Sequence, residues 1–461
     1  MIWHMAAVLE TIARTVPDQF ALNDDGQTRT WRDYEERAAR LAAALAARGV
    51  APGAKVAIFA SNSGEYMEAQ FAIFKARAVP VNVNYRYVED ELAYLFENGD
   101  VEAVFFDARF APRLAAIRER LPLLKTFIRI DEGSGADLPG SESYEALIAA
   151  HDPLPPLDYS EDDIFMLYTG GTTGMPKGVM YRHGDLAGLT AWISLDLNGP
   201  VTIENLVAKV RQVAANGAVP VLLPACPLMH GTAMLGGALP THFLGATVAT
   251  TREEKFDPHG LWAHIARERI TEVVIVGDAF AKPMLAALRE AADRQQPYDL
   301  SAMTRIWSSG LMFSTEVKLG LIEFLDIEIY DLFGSSEGTT GMSVVSRKLS
   351  ASGTSRFELM ATTKVFDEND EEVVPGSGAV GMIANGGYLP VGYYKDPEAT
   401  AASITPDGWL RTGDKGSVDR DGYLTITGRV KDIFKTAKGK YVAPAPIENL
   451  LGGHPAIEVC V

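Results

Sequence analysis

A glycine- and threonine-rich stretch in the middle of the chain has the residue types that grip phosphate. Tyr168 to Gly178 reads Tyr-Thr-Gly-Gly-Thr-Thr-Gly-Met-Pro-Lys-Gly and follows an apolar run that predicts a strand. Glycines let the backbone approach a phosphate and turn its N–H groups inward, and a lysine adds a point charge. We therefore predict a loop that holds a triphosphate, with a plain surface turn as the alternative. The candidate ligands are Thr169, Gly170, Gly171, Thr172, Thr173, Gly174 and Lys177.

This loop differs from the P-loop of the common nucleoside triphosphatases. That motif requires Ser or Thr directly after its lysine. Here Pro176 precedes Lys177 and Gly178 follows it. The pattern therefore indicates a different class of phosphate loop.

Two acidic residues farther along the chain have chemistry that suits a nucleotide. Glu337 closes the run Phe-Gly-Ser-Ser-Glu that begins at Phe333, and a carboxylate supplies the oxygen ligand that Mg²⁺ needs beside phosphates. Asp414 ends the run Gly-Trp-Leu-Arg-Thr-Gly-Asp, and as a pure acceptor it can take hydrogen bonds from two hydroxyls at once. Taken singly, a solvated surface acid and a turn-capping aspartate are the alternatives.

These motifs, in this order, resemble those of the adenylate-forming superfamily, which includes acyl-CoA synthetases, luciferases and peptide-synthetase adenylation domains. The family's usual Thr-Ser-Gly-Thr-Thr-Gly has Gly170 in place of its serine here, which removes one hydroxyl donor. The resemblance implies a catalytic set of Thr169, Thr172, Thr173, Lys177 and Glu337, with Glu337 as the metal ligand. It also implies nucleotide-binding roles for Ser309, Gly310, Asp331, Phe333, Gly334, Ser336, Asp414 and Arg429, and a hinge at Lys431.

The resemblance implies an enzyme that uses ATP, Mg²⁺ and coenzyme A. A carboxylic acid becomes an acyl-adenylate with release of pyrophosphate, and the acyl group then passes to CoA with release of AMP. An adenylation domain that feeds a carrier protein is one rival, although no carrier domain is visible. Another is an ATP- or acyl-adenylate-binding protein, because the chain stops about 30 residues after Lys431, before the family's adenylation lysine. We expect the sequence to be a fragment of a longer product.

A histidine followed by small residues is similar to the family's acyl site. Pro227-Leu-Met-His230-Gly231 leads into a segment rich in Gly and Ala, which could leave room for a large apolar acid. The predicted acyl pocket contains His230, Gly231, Gly277 and Phe280. The nearest likeness is to synthetases for fatty or steroid side-chain acids, and ordinary core packing is the alternative.

The elements that must position these motifs alternate between strand and helix, which predicts parallel sheets with helices on their faces. The predicted fold class is α/β: two doubly wound βαβ subdomains plus a small β-barrel-like subdomain, followed by the beginning of a small α+β C-terminal domain. We place the large domain at 1–428 and the hinge with the start of the small domain at 429–461. The first series comprises helices at 33–48, Glu65–Ala76 and Glu89–Phe96 and strands at Lys55–Ala60, Val79–Val83 and Val101–Phe106. The second comprises strands at Ala246–Thr250, Glu272–Val276 and Arg305–Trp307 and helices at Pro258–Glu268 and Lys282–Arg294, and short strands separated by turns follow after about residue 345.

The bulk composition limits the partners of the chain. A formal net charge of −18 over 461 residues opposes broad attraction to nucleic acid or anionic lipid. Only Cys226 and Cys460 are present, so no disulfide framework is expected. No secretory signal or long apolar span is evident. We therefore expect a cytoplasmic enzyme with small-molecule partners, a carboxylic acid and CoA, and with a homodimer as one possible assembly.

Overall fold

The structure is a computed structural model that describes residues 2–130, 137–170, 175–195, 200–252, 255–349 and 356–430, together with the backbone of 434–435 and 441–442. The chain divides into two compact units. The first contains Met1–Asp257, Arg267–Val274 and Pro390–Pro397, and the second contains Pro258–Ala266, Ile275–Leu389 and Glu398–Val461. Within the described ranges, no helix is both long and apolar enough to cross a membrane.

A five-stranded parallel sheet forms one layer of the first unit. Its four longer strands contain mostly Val, Ile, Phe and Ala and are largely buried, as expected where helices cover both faces. In spatial order the strands are Val79–Asn82, Lys55–Phe59, Val101–Asp107, Thr126–Ile130 and Glu142–Ser143. The helices along this part of the chain are Trp31–Ala47, Gly64–Lys75, Glu89–Asn98, Ala111–Ile117 and Tyr144–Ala150, with 3-10 turns at Ala108–Phe110 and Arg118–Arg120. The first predicted βαβ series is therefore confirmed.

Two further groups of strands lie in the first unit. A three-stranded antiparallel sheet contains Ile164–Thr169, Lys177–Arg182 and Gly392–Tyr393. A second group contains Gln27–Thr30, Phe20–Asp24, Thr247–Thr250, Val221–Pro224 and Glu272–Ile275, parallel except for the first pair. The accompanying helices are Met5–Thr15, His183–Ser194, Ile203–Ala215, Gly231–Ala233 and Leu239–Phe243, with a π-helical turn at Met234–Ala238.

The second unit begins with a parallel strand pair and continues antiparallel. In spatial order its strands are Arg305–Ser309, Glu328–Ser335, Gly338–Val345, Arg356–Leu359, Tyr423–Arg429, Leu410–Val418, Gly381–Asn385 and Thr363–Phe366. The helices along this part of the chain are Pro258–Arg267, Gly277–Asp293, Thr315–Phe324 and Pro397–Ser403. A separate apolar core contains Val365, Val373, Ile383, Val418 and Leu424. The antiparallel β unit predicted after about residue 345 is therefore present.

The helix predicted at Lys282–Arg294 begins five residues earlier, at Gly277. Two of its first N–H groups find acceptors outside the helix: Gly277 donates to Ser308 Oγ over 3.0 Å, and Asp278 donates to the Met312 carbonyl over 2.8 Å. Proline lacks the N–H that an interior helix position donates, so it is favoured in the first turn of a helix. Pro283 therefore agrees with a helix that starts at Lys282. In the structure Pro283 lies inside the helix. The helix therefore starts earlier than the proline predicts, and the contacts of Gly277 and Asp278 with other segments account for the added residues.

Candidate active site

The phosphate loop connects two paired strands of the first unit. Thr169 lies opposite Lys177, and Tyr168 lies opposite Gly178, so both ends of the loop leave a fixed antiparallel pair. Gly170 directly follows the first strand, and there a Cβ would meet no atom of the part of the chain that the structure describes within 4 Å. The other predicted loop ligands, Gly171, Thr172, Thr173 and Gly174, lie outside the described residues, as does the predicted hinge residue Lys431.

Gly178 is required by packing at the base of the loop. A Cβ there would lie 2.8 Å from Met166 Sδ, closer than Cβ atoms are found in proteins, and 3.1 Å from Tyr168 Cε2, which is tighter than most Cβ contacts. Met166 and Tyr168 both belong to the buried cluster around the parallel sheet. The glycine therefore lets the strand that carries Lys177 lie against this core.

Two asparagine side chains hold Tyr168. The Tyr168 N–H donates to Asn82 Oδ1 over 2.6 Å, and Asn82 Nδ2 donates to the Tyr168 carbonyl over 2.9 Å. The phenol donates to Asn98 Oδ1 over 2.6 Å, and burial raises the pKa of Tyr168, so the donor stays protonated at neutral pH. Sequence reasoning missed both asparagines. The available signal was Asn82 at the carboxyl end of a buried parallel strand, where functional side chains of such sheets gather.

Lys177 forms an ion pair with Asp396 within the first unit. Its Nζ lies 2.7 Å from Asp396 Oδ2 and 5.5 Å from the centroid of the Tyr393 ring. The next residues tie this segment down: Tyr394 Oη and Lys395 Nζ donate to the two oxygens of Asp100 over 2.7 and 2.8 Å. The lysine side chain is about half exposed, so its ammonium remains accessible to an anion from solvent.

His230 opens a short, irregular helical stretch. Its carbonyl accepts from the Ala233 and Met234 N–H groups over 3.1 Å each, and a π-helical turn at Met234–Ala238 follows. Such turns occur frequently at functional sites. Partial removal of the ring from water and the nearby Arg86 cation lower the pKa of His230, so the imidazole is neutral at neutral pH.

The glycines of this stretch have different surroundings. A Cβ at Gly231 would lie 3.2 Å from Leu167 Cδ2, and one at Gly237 would lie 2.6 Å from Val274 Cγ2. These two glycines serve close packing. At Gly236 a Cβ would meet no atom of the described residues within 4 Å, so of these three positions Gly236 borders the space that those residues leave open.

Gly277 and Phe280, the other two predicted acyl-pocket residues, lie in the second unit. Gly277 has φ +50°, and a Cβ there would lie 2.3 Å from the Met312 carbonyl oxygen. Its small size therefore allows two backbone segments to approach. Phe280 lies in the first turn of the helix Gly277–Asp293 and is partly exposed. A role for either residue in acid binding stays a prediction.

Glu337 occupies the tip of a tight β-hairpin in the second unit. Ser335 pairs with Gly338, so Ser336 and Glu337 alone form the turn. A Cβ at Gly334 would lie 2.5 Å from the Gly338 carbonyl oxygen, which explains the glycine. The Glu337 N–H bonds to Ser335 Oγ over 3.3 Å. The turn thus presents a hydroxyl and a carboxylate on adjacent residues.

Two other residues of this motif, Phe333 and Asp331, contact side chains of the protein itself. The Phe333 ring lies 5.5 Å from the Phe357 ring, so another aromatic side chain already packs beside it. Asp331 is buried and lies 2.6 Å from Lys318 Nζ. Burial raises the pKa of the Asp331 carboxyl, and the Lys318 ammonium partly offsets that shift. The contact gives Asp331 a structural partner, and its predicted role in nucleotide binding stays a prediction.

The strand end at Ser309 and Gly310 is also well defined. Ser309 ends the strand Arg305–Ser309, and Gly310 has φ +95°, a conformation that favours glycine. Both are at least partly exposed. The positive φ turns the chain sharply at the carboxyl end of a parallel strand, an edge at which ligands commonly bind.

Asp414 and Arg429 face each other across two antiparallel strands. They are directly paired in register, and Arg429 Nε lies 3.4 Å from Asp414 Oδ1. Asp414 is buried, whereas Arg429 is about half exposed. Gly413, beside Asp414, has φ +81°. The structure therefore brings together two residues that the sequence predicted to contact ribose or phosphate.

The residue set fits a Mg²⁺ ion that is held chiefly by the nucleotide. Within the described ranges, no group of three or more His, Cys, Asp or Glu side chains could hold a metal ion by itself. Mg²⁺ at nucleotide sites commonly takes one or two carboxylates plus substrate phosphates and water. The single carboxylate of Glu337 at an accessible turn suits that mode of binding.

Residues 9–394 match the model of the AMP-binding enzyme family. A 3-oxocholest-4-en-26-oate–CoA ligase from Rhodococcus rhodochrous is 37% identical over 469 residues, which cover 99% of this chain and 83% of that protein. A medium/long-chain-fatty-acid–CoA/3-oxocholest-4-en-26-oate–CoA ligase from Mycolicibacterium smegmatis is 37% identical over 465 residues, with the same coverage of 99% and 83%. Both alignments span nearly the whole chain.

Solved structures show the same fold. The crystal structure of the anthranilate CoA ligase AuaEII in complex with anthranoyl-AMP has a TM-score of 0.84 at 22% identity, covering 99% of this chain and 83% of that one. Apo MatB from Rhodopseudomonas palustris has a TM-score of 0.78 at 24% identity, covering 99% and 84%. At these identities the likeness concerns the fold alone. The family match and the two relatives together show that the chain belongs to the AMP-binding enzyme family and is an acid–CoA ligase that uses ATP, Mg²⁺ and coenzyme A.

Proposed function

We propose that the acid activated by this ligase is a fatty acid or the side-chain carboxylate of a steroid. The relatives from Rhodococcus and Mycolicibacterium are named for such acids and align over nearly the whole chain. The structural observation that supports the proposal is the open space beside Gly236, in the π-helical turn that follows His230. A fatty acid or a steroid side-chain acid is large and apolar, so it needs a largely apolar space next to the point where its carboxylate reacts.

The reaction proceeds in two steps. A carboxylate oxygen attacks the α-phosphorus of ATP, the bond to the bridging oxygen breaks, and pyrophosphate leaves with the electron pair. The CoA thiolate then attacks the acyl carbon, and AMP leaves. Because both reactants of the first step are anions, the protein contributes mainly positioning and positive charge, and Mg²⁺, when bound, neutralises phosphate charge.

We assign separate roles to the residues that carry the motifs. Lys177 and the loop backbone bind phosphate, Glu337 binds Mg²⁺, and Asp414 with Arg429 binds the ribose. The accessible Lys177 ammonium and the fixed pairing of Asp414 with Arg429 support these assignments. We also propose that residues 1–428 form the large domain and that residues 429–461 contain the hinge, at Lys431, and the start of the small C-terminal domain.

Gly236→Leu tests the acid assignment. ATP–pyrophosphate exchange is measured with acids that range from acetate to long-chain and steroid acids. We expect the added side chain to raise the KM for the large acids at least about tenfold while small acids are unaffected, because a filled space excludes bulk by a few kcal/mol. Ala215→Leu, which adds bulk at an exposed helix end, is the control.

Three outcomes would contradict the proposal. Activation of acetate or an aromatic acid, with no activity on medium-chain, long-chain or steroid acids, would overturn the acid assignment. ATP binding without exchange for any acid would favour the alternative of a nucleotide-binding protein. Equal effects of Gly236→Leu on all acids would place the acid elsewhere.

We also propose that the enzyme works in the cytoplasm as a homodimer. ATP and CoA are cytoplasmic metabolites, and the low cysteine content agrees with a reducing compartment. Two-fold dimers are the commonest assemblies of soluble proteins. Sedimentation velocity over a range of concentrations tests the dimer, and a purely monomeric species would contradict it.

A further inference from the structure

One carboxamide in the first unit connects the strand before the phosphate loop with the segment before His230. Asn82 Oδ1 accepts the Tyr168 N–H over 2.6 Å, and Asn82 Nδ2 donates to the Tyr168 carbonyl over 2.9 Å and to the Met229 carbonyl over 2.7 Å. Tyr168 directly precedes Thr169, the first predicted ligand of the phosphate loop, and Met229 directly precedes His230. Three backbone groups from two distant segments therefore share one side chain.

The chemistry of these contacts requires asparagine. The Tyr168 N–H needs an acceptor and the two carbonyls need donors, which fixes the orientation of the amide. Only a carboxamide offers both on one rigid group. Asp would direct a carboxylate oxygen at two carbonyls, and Gln would displace the group by one methylene.

Asn82 is itself held firmly. It is the last residue of the strand Val79–Asn82, where it pairs with Ile58 in the parallel sheet. The next residue, Val83, donates its N–H to the Ile58 carbonyl over 3.1 Å. The carboxamide therefore projects from the edge of a packed sheet, and packed sheets resist small displacements.

A second asparagine provides a natural comparison. Asn62 Nδ2 donates to the carbonyls of Pro224 and Cys226 over 3.1 and 3.0 Å, and its Oδ1 accepts the Leu228 N–H over 2.7 Å. Asn62 thus holds the segment before His230 from the same edge of the sheet. The hydrogen bonds described for its side chain all go to that one segment, whereas those of Asn82 reach two.

We propose that Asn82 is a positioning residue that fixes the phosphate-loop strand and the segment before His230 relative to each other, so that ATP and the acid depend on the same side chain. The inference rests on the proposed role of the loop in phosphate binding and on the predicted place of His230 in the acyl pocket. Since reacting atoms must be held within a few tenths of an ångström, a small shift of either segment impairs the reaction. Asn62, by contrast, positions the acid side alone.

The kinetic test compares Asn82→Asp with Asn62→Asp in ATP–pyrophosphate exchange. We expect Asn82→Asp to raise the KM for ATP and the KM for the acid each about tenfold, as loss of two partly buried hydrogen bonds implies. Asn62→Asp raises only the KM for the acid and leaves the KM for ATP within about twofold, since its partners lie in one segment. Equal patterns for the two variants, or an unchanged KM for ATP in Asn82→Asp, would overturn the proposal.

A structural measurement separates positioning from folding. Hydrogen exchange of the peptides that contain Tyr168 and Leu228 is followed in Asn82→Ala and Asn62→Ala, with thermal unfolding as a check that each variant folds. We expect faster exchange at Tyr168 only in Asn82→Ala and at Leu228 in Asn62→Ala. Exchange that rises uniformly across the chain in Asn82→Ala would mean a merely structural role. If the unaltered enzyme binds ATP but activates no acid, the proposed function fails instead, and the exchange pattern still decides the role of Asn82.

Discussion

The Lys177 ammonium lies 2.7 Å from the Asp396 carboxylate, although 219 residues separate them in the sequence. The lysine that the motif assigns to phosphate therefore has an internal counter-ion in this structure. An incoming phosphate must compete with that carboxylate. The lysine side chain is 48% exposed and the aspartate side chain 33% exposed, so the pair contributes at most about 1 kcal/mol to stability.

Asp396→Asn should lower the KM for ATP. Removal of the competing carboxylate frees the Lys177 charge, and we expect a decrease of roughly two- to fivefold, as for an exposed ion pair. Steady-state kinetics at two salt concentrations measures the effect, which should shrink at high salt because exposed charges are screened. Asp370→Asn, which breaks a comparable exposed pair with Arg411, is the control. A higher KM for ATP in Asp396→Asn would mean that the carboxylate assists binding.

Glu337→Gln should raise the Mg²⁺ concentration that gives half-maximal activity. The amide keeps the shape of the side chain but loses the charge that a hard cation prefers, and we expect a shift of at least about tenfold. Because Glu337 lies at a turn, the melting temperature should stay unchanged. Glu368→Gln, in another exposed turn, is the control. An unchanged Mg²⁺ response would remove Glu337 from the metal site.

Asp414→Ala should weaken nucleotide binding through the ribose. Calorimetry measures the affinity of the unaltered protein and of the variant for ATP, 2′-deoxy-ATP and 3′-deoxy-ATP. The comparison shows whether removing the carboxylate and removing a ribose hydroxyl affect the same interaction. We expect loss of either hydroxyl to cost the unaltered protein about tenfold in affinity, since a hydrogen bond to a charged group is worth roughly 1.5–3 kcal/mol. Asp414→Ala should bind all three nucleotides alike. Additive losses would show that the ribose lies elsewhere.

Gly277→Ala should destabilise the protein by roughly 2–4 kcal/mol, because φ is positive and the added Cβ meets backbone oxygen. The space around Gly277 is filled by the carbonyls of Leu311 and Met312, neither of which can rotate away. Gly236→Ala, where a Cβ meets nothing within 4 Å, should change stability by less than about 1 kcal/mol. Urea unfolding of both variants provides the comparison, and equal losses would refute the packing account of Gly277.

The buried His242 should make stability fall in mild acid. Burial lowers the pKa of His242 from 6.5 to about 4, partly opposed by the Nε2 hydrogen bond to the Ala21 carbonyl. The unfolded chain therefore binds a proton below pH 6.5 that the folded chain does not accept until about pH 4. Between these values stability should decrease by roughly 3 kcal/mol from this group, whereas above pH 6.5 its contribution is constant.

His242→Gln removes this titration and retains an N–H donor for Ala21. Its unfolding free energy should fall less than that of the unaltered protein between pH 6.5 and 4. His4 and His183, whose pKa values burial also lowers, titrate in both proteins and so cancel in the difference. Identical pH profiles would show that His242 is not responsible.

The sequence predicts the alternating strands and helices of the first unit closely, because apolar runs and short turns are local signals. The predicted strand Val79–Val83 and the observed strand Val79–Asn82 differ by one residue. The nucleotide motifs are also local, and the register of Asp414 with Arg429 places two of their residues together.

Contacts between distant segments are what the sequence leaves open. Asn82 bonds to Tyr168 and Met229, 86 and 147 residues away, and no spacing rule connects such positions. Asp331 is paired with Lys318 on another element, which a motif that names Asp331 alone does not reveal. Glycines illustrate the same limit, because composition alone does not tell the packed Gly277 from Gly236, which borders open space.

Ser336 and Glu337 connect two strands whose pairing begins directly beside the turn. The strand pairing therefore depends on the number of residues in the turn more than on which residues they are. Side chains alternate between the two faces of a strand, so a shift of this pairing by one residue would exchange the faces of the residues that follow. Met342 and Ser343 would then swap environments. Substitutions at either turn residue leave this pairing in place, whereas a longer loop grafted here must restore the same pairing for the strands that carry the motif to keep their faces.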